Sequence, residues 1–358
     1  MKNRIERLME MLPSESDCAI ITSDVNRRYF TGMLSSAGTL LCFREAAYLI
    51  IDFRYIEKAR NTVKNCTVIM QSELYSQIKN LLRKHNAKRI SVESMELTLN
   101  SFSQMCEKLG GEWEFDTSNA LSRAVYTCRT VKDDVEIEKI KSAQKLAEEA
   151  FSYILEFIHE GVTEREIQLE LDFKMLRLGA EELSFPTIAL TGTNTSMPHG
   201  VPSDMCKVRK GDFVLMDYGA VVDGYHSDMT RTVAVGEPSD EMKNVYNIVL
   251  EAQEKSIRAV RAGLTGKQLD GIAREHIALA GFGENFGHSL GHGVGMEIHE
   301  YPNASPLGTA ILHSGNVITI EPGIYIAGKF GVRIEDFVLV TENGCKNFTQ
   351  APKNMIIL

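Results

Sequence analysis

No apolar run in this 358-residue chain approaches the ~20 residues that a membrane-crossing helix needs; the best short candidate, Ala46 to Ile51, has the length of a strand. The opening MKNRIERLMEML has no uninterrupted apolar stretch of the signal-peptide kind, because charges separate Ile5, Leu8, Met9 and Leu12 into a helical stripe. A cytoplasmic protein without a membrane partner is expected. Excess positive charge is also lacking: 39 Lys+Arg stand against 48 Asp+Glu, a net charge of −9. The stretch Lys79 to Arg89 holds five cations, but it alternates with apolar positions as a solvated helix face and the strand after it would. No nucleic-acid partner is expected. C-x-x-C pairs are missing, and the seven cysteines, odd in number and widely spaced, read as reduced core thiols. Four catalytic signatures are absent as well: H-E-x-x-H, G-x-S-x-G, G-x-x-x-x-G-K-[ST] and a strand-linked G-x-G-x-x-G.

What is present is an ordinary globular composition, 44% hydrophobic and 24% charged, in a chain long enough for about two domains. Residues 17 to 116 alternate short β-rich runs (CAIIT, TLLCF, AYLIID, TVIMQ, RISVE) with helical stretches such as Glu73 to His85 and Leu97 to Leu109, an α/β module. Charge then accumulates around Arg129 to Asp134, and Val135 to Ile158 carries apolar residues three and four apart, a long helix opening a new unit. The boundary is placed near residue 125, giving domains 1–125 and 126–358. In the second, helices are expected at Thr163 to Leu178 after the Gly161 break, at about Asp240 to Ala262, and at Thr265 to Ala280 beyond Gly263. The text from Phe286 onward is β-rich and dense in glycine. An α+β layout follows, strands with helices packed on one side. No fixed-period internal repeat is visible.

Five acidic or histidine positions in this half stand where the β context gives them no structural reason to be. Asp217 (FVLMDYGA) and Asp228 (YHSDMTRT) flank VVDGY, whose Asp223-Gly224 is a two-residue hairpin signal. Such a loop pairs Val222 with Tyr225, hence Asp217 with Thr230 and Gly219 with Asp228. The two aspartates become diagonal neighbours ~7–8 Å apart at the backbone, close enough for their carboxylates to converge on a metal pair. Taken alone, they could equally be a strand-end residue and a cap.

The segment HSLGHGVGMEIHE holds His288, His292 and His299, three of nine histidines, among Gly291, Gly293 and Gly295. So many glycines make a helix improbable there, and an irregular close-packed loop lets the backbone approach a ligand while His supplies a metal ligand or proton donor. Glu321 (VITIEPGIY) ends an alternating strand at Pro322-Gly323. Glu335 (GVRIEDFVLV) shares the face of a second strand with Arg333, which could orient a carboxylate or form a plain ion pair. Together two Asp, at least one His and two Glu make an oxygen-rich site with nitrogen, suited to two divalent ions of the Mn, Fe, Co or Zn type. Hydrolysis is the chemistry such a pair supports.

Asp217, Asp228, His292 in GHGVG, Glu321 in EPG and Glu335 in RIED, in that order, resemble the dimetal aminopeptidases of the pita-bread fold: methionine aminopeptidase, proline-specific aminopeptidase and prolidase, with creatinase a metal-free relative. The resemblance covers residues 130 to 358. The preceding module, with NRRYFTG at 26–32 and DFRYIEKA at 52–59, looks like the N-terminal domain of the creatinase/prolidase branch. It implies a pita-bread catalytic domain in which Asp217 chelates one metal, His292 and Glu321 the other, while Asp228 and Glu335 bridge both and a metal-bridging hydroxide attacks the scissile carbonyl. It implies Glu321 as proton shuttle, His199 (in MPHG) and His299 as stabilisers of substrate and oxyanion, His288 in the substrate pocket, and Arg333 and Tyr325 in support.

The resemblance further implies a homodimer, manganese as the metal with cobalt, zinc or iron as alternatives, and a peptide substrate with proline at the second position. An Xaa-Pro bond is a tertiary amide without an N–H, so peptidases that grip that N–H fail on it, whereas polarising the carbonyl avoids the problem. The first expectation is an Xaa-Pro aminopeptidase. The alternatives are an Xaa-Pro dipeptidase, a creatinase-like amidinohydrolase and a non-catalytic peptide-binding module.

Overall fold

The computed structural model describes residues 3–358, which form two compact units dividing between Arg129 and Thr130. The boundary expected near residue 125 therefore falls inside a helix, Ala120–Thr130.

In the first unit strands β1 (Cys18–Ile21), β2 (Thr39–Phe43), β3 (Ala47–Ile51), β4 (Thr67–Met70), β5 (Arg89–Val92) and β6 (Glu114–Asp116) form one sheet in the order β4-β3-β2-β1-β5-β6. It is mixed: β1 runs antiparallel to β2 and parallel to β5. Around it lie helices α1 (Arg4–Met11), α2 (Asp24–Thr31), α3 (Ile56–Thr62), α4 (Leu74–Lys84), α5 (Leu99–Leu109) and α6 (Ala120–Thr130). Alternate sheet residues Cys18, Ile20, Leu41, Ile50 and Ile90 pack on Ile78, Leu82 and Met105 of α4 and α5. Buried Glu93 accepts bonds from the Thr22 and Ser23 amides and Asn26 Nδ2, which fixes the start of α2.

The second unit is built twice over. Helices α7 (Asp134–Phe157) and α8 (Glu164–Arg177) form one pair, and α9 (Asp240–Ala259) and α10 (Gly266–Leu279) the other. Asp133 with Glu136, Thr163 with Glu166 and Thr265 with Gln268 are reciprocal caps that start α7, α8 and α10. Gly161 and Gly263, at φ 96° and 89°, make the left-handed turns before the two Thr caps. Their amides donate to Val208 and Leu312 carbonyls, 2.9 Å each. The amides of Val208 and Leu312 donate in turn to the Val162 and Leu264 carbonyls, 2.8 Å each. This duplication escapes a search for a sequence period because only the Gly-x-Thr turns and their pairings recur, not the side chains between them.

After each helix pair comes an interrupted hairpin. In the first half β9 (Asp212–Tyr218) pairs with β12 (Met229–Val235), and the tip is β10 (Ala220–Val222) with β11 (Tyr225–His226); β7 (Glu182–Leu183) and β8 (Ile188–Thr191) flank them. In the second half β13 (Gly291–Gly293) and β14 (Glu300–Ala304) precede β15 (Val317–Ile320), which pairs with β18 (Asp336–Thr341). The tip is β16 (Gly323–Ile326) with β17 (Phe330–Arg333), and β19 (Gly344–Asn347) closes the sheet. One core joins α7 and α8 to the first hairpin through Phe151, Leu171, Val214 and Met216; the other joins α9 and α10 to the second through Val249, Ala273, Ile318 and Val338. The result is the expected α+β, pita-bread architecture. No helix of the described residues is long and apolar enough to cross a membrane.

Candidate metal centre

The tip turn sets the first two acids. Asp223 and Gly224 adopt φ 50° and 80°, the left-handed pair a tight hairpin requires, and Val222 pairs with Tyr225 and Asp217 with Thr230 as their spacing predicts. Gly219 makes the interruption possible, since a Cβ there would stand 1.9 Å from the Ser227 carbonyl oxygen. Asp228 falls in the gap between β11 and β12. In the second hairpin Glu321 follows β15, as expected of a strand terminus. Arg333 and Glu335, expected on one strand, do not share one: Arg333 ends β17 and Glu335 sits in the break before β18. Cross-links from the first half hold that break, where the Glu335 amide donates to the Thr230 carbonyl at 3.1 Å and the Arg231 guanidinium donates to the Glu335 carbonyl.

One carboxylate oxygen each of Asp217, Asp228 and Glu335 lie within 4.8 Å of one another. His292 sits in the irregular β13 rather than a helix, at a register shift between Gly291 and Gly293, and its Nε2 lies 3.6 Å from Asp228 Oδ2 and 3.4 Å from Glu321 Oε1. All five residues line one cavity of about 860 Å³, together with His199, His288, His299 and Arg333. Tyr325 backs it: Arg333 Nη1 donates to the Tyr325 hydroxyl at 2.6 Å, and that hydroxyl lies 3.0 Å from His288 Nε2. Because His288 Nδ1 is 2.8 Å from the Ser289 carbonyl, its proton belongs there, and the Tyr325 O–H donates to Nε2.

Of the four carboxylates here, Asp217 is paired with the Arg333 guanidinium, whose Nη2 donates to Asp217 Oδ2. Burial, reinforced by Asp217 and Glu321, pushes the Asp228 carboxyl well above the usual range; burial and the neighbouring acids do the same to Glu335. Glu321 is pushed up to about 8 by burial, with Arg333 opposing. Burial drives His292 and His288 down to about 4, so both imidazoles are neutral near pH 7.

The residues fit divalent cations. Asp217 Oδ1 and Glu335 Oε1 are buried without a hydrogen-bond donor among the described residues. His292 Nδ1 lies 3.0 Å from the Gly293 carbonyl, to which it donates, so Nε2 turns a lone pair toward two carboxylate oxygens. Lone pairs facing one another at this range are satisfied by protons on the raised carboxyls or by divalent cations in their place. The free oxygens are steered by threonines that the sequence analysis missed: Thr230 Oγ1 donates to Glu335 Oε2 at 2.7 Å and Thr319 Oγ1 to Glu321 Oε1 at 3.0 Å. Each stands two residues from an acid of the site in its own hairpin, Thr230 after Asp228 and Thr319 before Glu321, a signal that was available. Asp270 and Arg274 were missed too. Arg274 donates to the Phe286 and His288 carbonyls and pairs with Asp270, which accepts from the Leu290 amide, so α10 fixes the histidine loop.

Residues 138–342 match the model of metallopeptidase family M24, and residues 4–131 that of the creatinase/prolidase N-terminal domain. A protein named Xaa-Pro dipeptidase from Pyrococcus furiosus is 38% identical over 99% of this chain and 100% of its own. Among solved structures, an Xaa-Pro dipeptidase from Bacillus anthracis superposes with TM-score 0.95 at 40% identity, covering 99% of both chains. An X-Pro aminopeptidase from Thermotoga maritima superposes with TM-score 0.92 at 37% identity, covering 98% of this chain and 100% of that one.

Proposed function

Because the chain belongs to metallopeptidase family M24, we propose that it is an Xaa-Pro dipeptidase, hydrolysing the bond before proline in a two-residue peptide. The observation that carries the hydrolytic reading is the convergence of Asp217, Asp228, His292, Glu321 and Glu335 on one cavity. The dipeptidase reading replaces the aminopeptidase expected first, because the Pyrococcus furiosus relative and the Bacillus anthracis structure carry that activity in their names. The aminopeptidase remains the second reading, favoured by the Thermotoga maritima neighbour and by a cavity of about 860 Å³, roomier than two residues require.

Asp217, Asp228, His292, Glu321 and Glu335 would hold two divalent ions, manganese in our reading, with cobalt, zinc or iron as alternatives. When bound, such ions polarise the scissile carbonyl and lower the pKa of water. Thr319 occupies Glu321 Oε1, so Oε2 takes the proton of the attacking water and delivers it to the departing proline nitrogen. That delivery matters because a tertiary amide nitrogen leaves poorly as an anion. His199 and His299, on the cavity wall, donate to the oxygen on which charge develops. Arg333 holds the Asp217 carboxylate in place, and Tyr325 orients the His288 imidazole, which burial keeps neutral, toward the substrate. Phe185, Ile188, Pro198, Val201 and Ile298 give the cavity an apolar wall for the proline ring. The working assembly is a homodimer in this reading.

The test is the release of the N-terminal residue from Ala-Pro, Ala-Pro-Ala and Ala-Ala-Ala by chelator-stripped protein with and without manganese. Metal-dependent cleavage fastest on Ala-Pro supports the dipeptidase, and a preference for Ala-Pro-Ala turns the reading to the aminopeptidase. No cleavage of either proline peptide sinks both.

A further inference from the structure

The turn between β13 and β14 carries His299, and it is wrapped around the side chain that follows. Glu300 Oε1 accepts from the Met296 and Glu297 amides at 2.9 and 3.2 Å, and Oε2 accepts from Lys132 Nζ at 3.0 Å. Both side chains are buried, 1% exposed for Lys132 and 6% for Glu300. Lys132 is itself anchored, its amide donating to the Gly315 carbonyl at 2.9 Å. Gly295 leaves room for the carboxylate, since a Cβ there would stand 2.4 Å from Glu300 Oε2, and its carbonyl accepts from the His226 amide. With Glu300 drawn inward at the start of β14, His299 at the end of the turn faces the cavity, edge-on to His292 with ring centroids 4.3 Å apart.

Removing two opposite charges from water costs about as much as their attraction returns, so such a pair is a poor stabiliser and a good locator. We propose that Lys132 and Glu300 form a positioning pair that sets His299 in the cavity by templating the 294–299 turn. The kinetic part rests on the peptidase reading above; the placement itself does not.

The test is a double-mutant cycle on metal-loaded enzyme with Ala-Pro. Glu300→Ala is expected to lower kcat about 10- to 100-fold with a smaller change in KM, the range for a residue that orients another. Glu300→Ala with His299→Ala is expected to be no slower than His299→Ala alone; a loss that multiplies overturns the proposal. Should Glu300→Ala not fold, Glu300→Gln runs the same cycle, keeping an oxygen for the two amides but losing the charge opposite Lys132. Lys132→Arg is expected to retain activity and Lys132→Met to lose it. Independently of activity, the imidazole NMR signal of His299 in metal-free protein, identified by its loss in His299→Ala, is expected to shift or broaden in Lys132→Met. An unchanged signal overturns the placement even if the enzyme is fully active, and a shifted one supports it even if no peptide is cleaved.

Discussion

Glu321 and Glu335 lie opposite one another in a single hairpin register, between the Ile320–Asp336 pair on one side and the Gly323–Arg333 pair on the other, and neither belongs to a strand. Asp228 occupies the corresponding gap of the first hairpin, one step beyond the Tyr218–Met229 pair. Two interruptions at matching depths thus bring four acids to one cavity, where His292 completes the donor set. That crowding governs most of what the protein is expected to do when perturbed.

Asp228→Asn keeps the shape of a buried residue while removing a carboxylate shared by the cluster. It is expected to fold, to bind less metal, and to lose more than about 100-fold in rate on Ala-Pro, beyond the range for residues that merely orient a ligand. Metal analysis alongside the assay checks this. Full activity with metal retained contradicts the ligand assignment.

Tyr325→Phe removes the hydroxyl that accepts from Arg333 and donates to His288. Since Asp217 keeps its Arg333 partner, metal content is expected to hold while kcat falls about 10-fold. Arg333→Met, which strips the guanidinium paired with Asp217, is expected to weaken both. Metal titration and steady-state kinetics separate the two outcomes.

Metal-free protein should show an unusual pH dependence. The raised Asp228, Glu321 and Glu335 carboxyls bind protons in the folded state that the unfolded chain releases, so their stabilisation is complete below the ordinary carboxylate range. It is lost as pH rises through the folded values, about 8 for Glu321. His288 and His292, pushed down to about 4, act oppositely, with stability lost as pH falls below the unfolded value of ~6.5. Above pH ~6.5 only the carboxyls operate, so the melting temperature of metal-free protein is expected to fall between pH 6.5 and 8.5. Manganese should abolish that fall, because cations replace the protons. Thermal scans with and without manganese test it, and a rising trend without metal contradicts the electrostatic account.

The hairpin interruption depends on Gly219. Gly219→Ala would drive a Cβ into the Ser227 carbonyl and is expected to cost about 3 kcal/mol, the upper range for overpacking, by urea unfolding. Gly271, inside α10 with open space around it, is the control: Gly271→Ala is expected to stabilise by up to about 1 kcal/mol.

Much of this was legible in the sequence because local chemistry dictates it. Asp223-Gly224 permits one tight turn, and that turn alone fixes the register of Asp217; glycines on both sides of His292 exclude a helix. The long helices announced themselves through their apolar spacing and capping residues, with Asp133, Thr163 and Thr265 at their starts. What was not legible depends on tertiary approach. Arg333 and Glu335 read as one strand because the break between them is imposed by the Thr230 and Arg231 contacts from the other half. The Lys132–Glu300 pair joins residues 168 positions apart, and neither flank hints at the other. The duplicated architecture was hidden because backbone pairings recur while side chains do not.

The central claim is that two divalent ions held by Asp217, Asp228, His292, Glu321 and Glu335 make this chain a hydrolase of Xaa-Pro bonds. The measurement that tests it most directly is the rate of Ala-Pro cleavage by chelator-stripped protein against manganese equivalents added. The account predicts negligible cleavage without metal and a plateau at two ions per chain. Undiminished cleavage by stripped protein, or none at saturation, would contradict it.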